Sequence, residues 1–327
     1  MGDNDIDVSV LLIAYNHSKY ISRALQSVLR QKTDYNVEII VHDDASTDNT
    51  QDIIRKFEKS NPGKLKAIYE TENQLSKGTD IIEDIIFPLI RGRYVAELEC
   101  DDEWIDENKL QKQVRFLEEH IDYIACSHNT LILDYEQRKI RLLNKHKKSY
   151  DVKLKDIIEN SRSSFHLNSI VCRREGLKKL REFNNVVEIL FGDLTERLCL
   201  LECGKIRYMP DVMSIYRRNS GPDAFTTKTK GSKSRIALYK KVIKLYRFLL
   251  NRYPNYKDSM IIRKYIRQYE LYILLEAKKY RKAFTWRYFD IVLENGPVFC
   301  IGLFLKSYMP KFYVKVKQYE RLYRMRF

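Results

Sequence analysis

The chain opens on a near-continuous apolar run at residues 8–15, VSVLLIAY. A run without polar alternation predicts a strand buried on both faces, as in a parallel sheet. Within 18–31, Ile21, Leu25, Val28 and Leu29 recur at helical spacing. Residues 37–41, VEIIV, predict a second buried strand, which runs into His42, Asp43 and Asp44. Segment 47–59 reads as a helix with Ser46 or Asp48 as N-cap. A third strand is expected over 66–69, a helix over 79–90, a fourth strand over 94–99 (YVAELE) and a helix over 109–120. Strands over 123–133 and 169–172 and a helix over 193–201, stopped by Gly204, complete the pattern. Strand and helix alternating from the first residues predict an α/β domain with a mainly parallel sheet flanked by helices.

In such sheets ligands bind beyond the carboxyl ends of the strands. Two acidic clusters stand at strand ends, Asp43-Asp44 and the run from Glu99 to Glu103, so both are expected to line one crevice. Carboxylates there suit Mg²⁺ or Mn²⁺, which favour oxygen ligands and need only one or two from protein when a diphosphate supplies the rest. Each cluster also has a plainer reading, Asp43-Asp44 as a helix cap or polar turn and Asp101-Asp102 as a solvated turn.

After Gly221-Pro222 the texture changes. Segments 232–253 and 260–280 are basic, with apolar positions at helical spacing. The formal net charge is +15, and it is not spread evenly: from Gly221 onward there are 25 Lys+Arg against 7 Asp+Glu, and before it 34 against 37. The expected organisation is a catalytic domain over 1–220 and a basic, mainly helical region over 221–327. That region holds 13 of the 23 tyrosines. Aromatic residues interleaved with Lys and Arg suit the headgroup layer of an anionic membrane, and residues 298–305, followed by Lys306, Lys311, Lys315 and Lys317, suit the interface itself. A helical subdomain with a solvated basic face fits equally well. The apolar run at 297–305 is too short to span a bilayer. Scattered thiols (six cysteines, no CxxC) fit a reducing cytoplasm, and residues 1–7 lack the pattern of a signal peptide. Cys199 and Cys203, one helical turn apart, read as buried structural thiols more readily than as a metal pair.

The segments VSVLLIAYNHSKYISRALQSVLRQ, VEIIVHDDASTDNT, ENQLSKG, GRYVAELECDDEWIDENKLQKQV and FGDLTERLCLLECGKIRYMPDVMSIYRRNSG resemble, in content and order, the family-2 glycosyltransferases of the GT-A fold. The resemblance covers roughly residues 7–220, about two-thirds of the chain. It implies a Rossmann-like sheet and an inverting transferase that moves a sugar from a nucleotide-sugar, by the family's habit a UDP-sugar, onto a glycan or lipid-linked acceptor. Carried over by position, Tyr15 would stack on uracil, Asp44 would accept from its ring N–H, and Lys77 would assist a phosphate. Asp101 would contact the ribose, Asp102 with Glu99 would hold Mn²⁺ or Mg²⁺, and Asp193 would be the catalytic base. Three positions depart from the family pattern: Glu99 where Asp is usual, Ala45 where Gly is common, and Ile13 where a small polar residue often lies. The QxxRW block of processive synthases is absent, which implies one sugar added per binding event. The implied setting is bacterial surface-polysaccharide assembly in the cytoplasm, peripheral to the inner face of the membrane.

Other residues carry two readings each. Asp193 is a helix N-cap as well as a base, Tyr15 fits an ordinary core, and Trp104 fits packing better than sugar stacking. His17, His42, His128 and His166 read as structural or surface, although His166 precedes a strand on the expected acceptor side. A nucleotidyltransferase would need a Gly-rich N-terminal loop, and residues 8–20 contain no Gly. A nucleic-acid-binding role for the tail would leave the acidic clusters unexplained, so no nucleic-acid partner is expected.

Overall fold

The computed structural model describes residues 6–159, 165–178, 180, 192–218 and 231–316, without the side chains of Asp193 and Tyr256. The chain divides into two compact units, Met1–Lys228 and Thr229–Phe327. The boundary expected near Gly221 falls outside the described residues.

The first unit is built on one ten-stranded sheet. Its strands are β1 (Val8–Ala14), β2 (Val37–Asp43), β3 (Leu65–Tyr69), β4 (Tyr94–Glu99), β5 (Glu103–Trp104), β6 (Tyr123–Asp134), β7 (Lys139–Leu142), β8 (Tyr150–Asp151), β9 (Val171–Arg173) and β10 (Lys205–Arg218). The order is β3-β2-β1-β4-β9-β6-β10-β5, with β7 on β6 and β8 on β10. The long ladders, β1 with β2 and β4, β2 with β3, and β6 with β10, are parallel. The antiparallel ones are short. Among the described residues the α-helices of the unit are α1 (Ile21–Leu29), α2 (Thr50–Ser60), α3 (Lys109–Glu119), α4 (Leu154–Glu159) and α5 (Gly192–Cys203).

β1 lies centrally because it has nothing polar to expose. Val8, Val10, Leu11, Leu12 and Ala14 are all buried, each large side chain contributing about 1.5–3 kcal/mol relative to exposure. Val8, Val10, Leu12 and Ala14 pack with Ile39 and Val41 of β2, Ala96 and Leu98 of β4, and the inner faces of α1 and α3. Ser9 is the polar exception. Its hydroxyl donates to Glu38 Oε1 at 2.5 Å and accepts from Gly92 N at 2.9 Å, while Glu38 also accepts from Arg91 N and Nε. At Gly92 the backbones approach so closely that a Cβ would lie 2.4 Å from Ser9 N.

The helix expected over 79–90 takes another form: a π-helical segment, Ile81–Ile86, followed by a 3₁₀ turn, Phe87–Leu89. The buried isoleucines, Ile81 and Ile86, stand five apart, the spacing of i→i+5 bonding. Pro88 offers no N–H to continue an α-helix. Asp80 caps the segment by accepting from Glu83 N at 3.1 Å. Helix α2 starts at Thr50, whose N–H donates to Asp48 Oδ1 at 3.0 Å. Gly204 follows α5 where a Cβ would meet Ile124 at 3.1 Å, so close approach, not a left-handed turn, favours glycine there. β10 carries Pro210 and register shifts between Met209 and Ser214, which bend it without ending it.

The second unit is helical, with α6 (Ser232–Arg252) and α7 (Tyr256–Glu276) packed as a hairpin, then α8 (Tyr280–Ala283), α9 (Phe289–Glu294) and α10 (Pro297–Tyr308). Asn255 caps α7 by accepting from Asp258 N at 2.9 Å. Leu271, Ala283, Tyr288, Ile291, Val292 and Leu303 form its own small core. Among the described residues no helix is long and apolar enough to cross a membrane.

Candidate functional site

The sheet register brings the two acidic clusters together. Ala14 at the end of β1 pairs with Asp43 on one side, and Ile13 pairs with Glu99 on the other. The loops after β1, β2 and β4 therefore leave the sheet side by side, as the strand-end argument requires.

The loops after β1 and β2 are knitted into one surface. Asn16 and Ala45 both take left-handed backbone, with φ of 57° and 60°. Asn16 N donates to Ser46 Oγ at 2.9 Å, and Asn16 Oδ1 accepts from Thr47 N at 2.8 Å. His17 N donates to Thr50 Oγ1 at 2.8 Å. Asp43, fully buried, accepts from Ser46 N and from Gln51 Nε2 at 2.7 Å. Tyr15, half-buried, stands at the mouth of this surface, just beyond β1. Asp44 is buried and accepts from Gln74 N at 2.6 Å and Leu75 N at 3.2 Å. It thus ties the 73–77 loop to the end of β2. Lys77 is exposed at the end of that loop, in the 3₁₀ turn Leu75–Lys77, and pairs with Glu72.

On the other side, β4 ends at Glu99 and the chain turns through Asp101 and Asp102. Asp102 is fully buried. Its Oδ1 accepts from Arg217 N at 2.9 Å and its Oδ2 from Asn168 Nδ2 at 2.6 Å. Burial, then the charge of neighbouring Asp101, pushes its carboxyl well above the usual range, against the pull of those two donors. Arg217 also donates to the Asp101 carbonyl at 3.0 Å and to the Glu103 carboxylate. The end of β10 is thereby locked onto the acidic turn.

His166 completes this corner. Its Nδ1 lies 3.6 Å from Asp102 Oδ2 and its Nε2 lies 3.7 Å from Glu99 Oε2. The ring stacks on Tyr216, with centroids 4.1 Å apart. Glu99, Asp102 and His166 each present a ligand atom, all within 4.8 Å of one another. Two carboxylate oxygens and an imidazole nitrogen converging so closely fit a divalent cation of the Mn²⁺ or Mg²⁺ type, and a cation there would offset the mutual repulsion of the carboxylates.

Of the residues expected from sequence, the structure gathers Glu99, Asp101 and Asp102 on one side and Tyr15 and Asp44 on the other. Lys77 it holds away on Glu72. Asp193 is the second residue of α5, and its side chain lies outside the described residues. His42 and His128 are buried and structural: His42 faces Glu70 at 3.4 Å, and burial holds His128 neutral, well below the usual range. Trp104 is packing, its indole N–H donating to the Asn168 carbonyl at 2.8 Å. Cys199 and Cys203 both donate to the Gly176 carbonyl, and none of the six cysteines is in a disulfide. Asn168 and Arg217 also carry the site through their contacts with Asp102, and no local pattern in the sequence gives either that role.

The family model for glycosyl transferase family 2 matches residues 9–181. That is more than half of the chain. The chain belongs to glycosyl transferase family 2. Among curated relatives it is 29% identical over 213 residues to the uncharacterized glycosyltransferase alr2836 of Nostoc sp., an overlap covering 64% of each chain. It is 34% identical over 128 residues, 39% of this chain and 48% of the relative, to the UDP-Glc:alpha-D-GlcNAc-diphosphoundecaprenol beta-1,3-glucosyltransferase WfaP of Escherichia coli. The chain spans 59–64% of the length of the first curated relatives it matches. In fold it is similar to S. aureus TarS 1-349 in complex with UDP, with TM-score 0.55, 17% identity and coverage of 94% of this chain and 82% of that one. The mannosyltransferase PcManGT from Pyrobaculum calidifontis in complex with GDP-Man and Mn²⁺ gives the same TM-score and identity over 95% and 86%. These likenesses place the α/β unit in the GT-A fold.

Proposed function

We propose that this chain is an inverting, metal-dependent glycosyltransferase that moves a single sugar from a nucleotide-sugar, a UDP-sugar first among them, to a hydroxyl of a glycan or lipid-linked acceptor in surface-polysaccharide synthesis. One observation carries the reading: Glu99, Asp102 and His166 converge at the end of β4, beside the loop surface after β1 and β2. The names of the relatives support it, since WfaP uses UDP-glucose and a diphosphoundecaprenol-linked acceptor, and TarS and PcManGT bind UDP and GDP-mannose with Mn²⁺.

In this reading Tyr15 and Asp44 take the base, and Asp101 the ribose. Glu99, Asp102 and His166 would hold Mn²⁺ or Mg²⁺, which when bound offsets the charge of the departing diphosphate. Asp193 accepts the proton of the acceptor hydroxyl as that oxygen attacks the anomeric carbon from the face opposite the leaving group. A single in-line displacement needs one base and inverts the centre. The first unit does this chemistry, and the second serves the acceptor at the inner face of the membrane.

The test is calorimetric titration with UDP, GDP, dTDP and CDP, each with Mn²⁺ and with chelator. Metal-dependent binding of one nucleotide is expected, lost in Asp102→Ala and weakened in Glu99→Ala and His166→Ala. Asp193→Asn should retain binding while transfer disappears. No binding of any nucleotide, or equal loss of binding in Asp102→Ala and Asp193→Asn, would overturn these assignments.

A further inference from the structure

The second unit has two surface features that its own core does not use. The first is apolar. Helix α10 buries Leu303 and Ser307 but turns Val298, Ile301, Phe304 and Tyr308 outward, with Met309 and Phe312 just beyond it. At 100° per residue the four within the helix, Val298, Ile301, Phe304 and Tyr308, fall within about 120° of one face. Trp286 is 88% exposed and Val298 84%. Phe304 and Tyr308 meet Phe284 at centroid distances of 5.7 and 6.0 Å, and Phe289 links Phe284 to Trp286, so the aromatic rings join one another across the unit.

The second feature is charged. Beside that face lies a cleft of about 340 Å³ lined by Lys278, Lys279, Tyr280, Arg281, Lys282, Lys306 and Ser307. Five of these seven are cationic and none is acidic. Lys278 is turned into place by left-handed backbone, with φ 56°, and Arg281 Nε donates to the Ser307 carbonyl at 3.1 Å. The described carboxylates of the unit are engaged elsewhere: Glu276 with Arg235, Glu270 with Arg287, Asp290 with Arg267, Glu294 with Lys264, and Asp258 with Asn255. The cations of the cleft therefore meet no compensating charge among the described residues.

An apolar helix face with an exposed indole, bordered by uncompensated cations, is complementary to a surface that is apolar within and anionic at its edge. We infer that the second unit docks on an anionic bilayer: α10 and Trp286 enter the boundary between headgroups and acyl chains, and the Lys278–Lys282 and Lys306 cleft takes a lipid phosphate. This deepens the membrane element of the proposed function, but its test needs neither donor nor acceptor, so the two fail separately.

The full chain is mixed with vesicles of neutral phosphatidylcholine, and with vesicles containing 30 mol% (a chosen composition, roughly that of an anionic leaflet) phosphatidylglycerol. Sedimentation and tryptophan emission are read together. The only other tryptophan, Trp104, is fully buried, so a blue shift reports Trp286. The expected result is partition at least about tenfold stronger on anionic vesicles, weakened by salt, with a blue shift that Trp286→Phe removes. Lys279→Glu with Arg281→Glu should abolish the preference for anionic lipid. Ile301→Asp should reduce partition on both vesicle types, with the circular dichroism spectrum retained. Equal partition on the two vesicle types, no partition, or no shift of Trp286 emission on bound vesicles would overturn the inference. So would displacement by millimolar inorganic phosphate, which would make the cleft a site for free phosphate.

Discussion

Lys109 offers a test of the packing that supports the acidic corner. It is the first residue of α3, yet it is fully buried, and its Nζ has no hydrogen-bond partner. The ammonium lies 4.0 Å from the centroid of the Trp104 ring. Burial lowers its pKa to about 7. An unfolded lysine titrates near 10.4, so the buried amine costs the folded state about 4 kcal/mol at neutral pH. The contact with Trp104 returns up to about 2 kcal/mol of that. Lys109→Met keeps the stem and removes the charge, and should raise unfolding stability by about 2–4 kcal/mol at pH 7. The sign follows from linkage. Between pH 7 and about 10.4 the unfolded lysine binds a proton that the folded one has lost, so wild-type stability rises with pH across that window on this account. The gain from the variant should therefore shrink toward zero near pH 10.4 and be flat below pH 7. Urea unfolding in a Trp286→Phe background, followed by Trp104 emission, reads the first unit alone. The difference between the variant and its parent also cancels raised groups that Lys109 does not touch, such as Tyr35, pushed up to about 12. A destabilised Lys109→Met, or a gain that does not change with pH, would refute the reasoning.

Other substitutions probe the frame of the site and the far end of the sheet. Ala45→Gly should add about 0.5–1 kcal/mol in thermal or urea unfolding, because alanine at φ 60° carries strain that exceeds the entropy glycine loses on folding. Gly92→Ala should cost about 3 kcal/mol or more by the same measurement, since its Cβ would strike the Ser9 backbone. Asn168→Ala removes the 2.6 Å donor to buried Asp102 and should cost about 2–3 kcal/mol, together with a loss of metal-dependent nucleotide affinity in calorimetry. Asn168→Asp should be worse than Asn168→Ala on both readouts, because it places a second carboxylate against Asp102.

The parts of the fold visible in the sequence are those whose burial is complete along a short run. β4 occupies the residues expected, 94–99, and β1 differs by one residue, because a continuous apolar stretch has one stable solution in a parallel sheet. The π-helical segment was not legible: isoleucines at 81, 82, 85 and 86 satisfy a 3.6-residue period as well, and only packing selects Ile81 with Ile86. The acidic corner was legible as to its carboxylates but not its partners. Asp102 meets Asn168 across 66 residues and Arg217 across 115, and no local pattern encodes such meetings. His166 was passed over for the same reason. Lys109 was hidden differently, since a lysine opening an amphipathic helix reads as solvated until Trp104 is seen to cover it.

The two ends of β1 have separate duties. At its amino end, Ser9, Glu38, Arg91 and Gly92 form a closed hydrogen-bonded knot, while Tyr15, Asp44 and Asp101, proposed to meet the donor, stand at its carboxyl end and at those of β2 and β4. A change in the donor loops therefore leaves the knot intact, and a repair at the knot leaves the donor loops intact. Such a division makes the chain a suitable host for grafting: loops from relatives with other sugar preferences can be exchanged at one rim while the opposite rim guards the fold, and natural descent could diversify sugar choice along the same route.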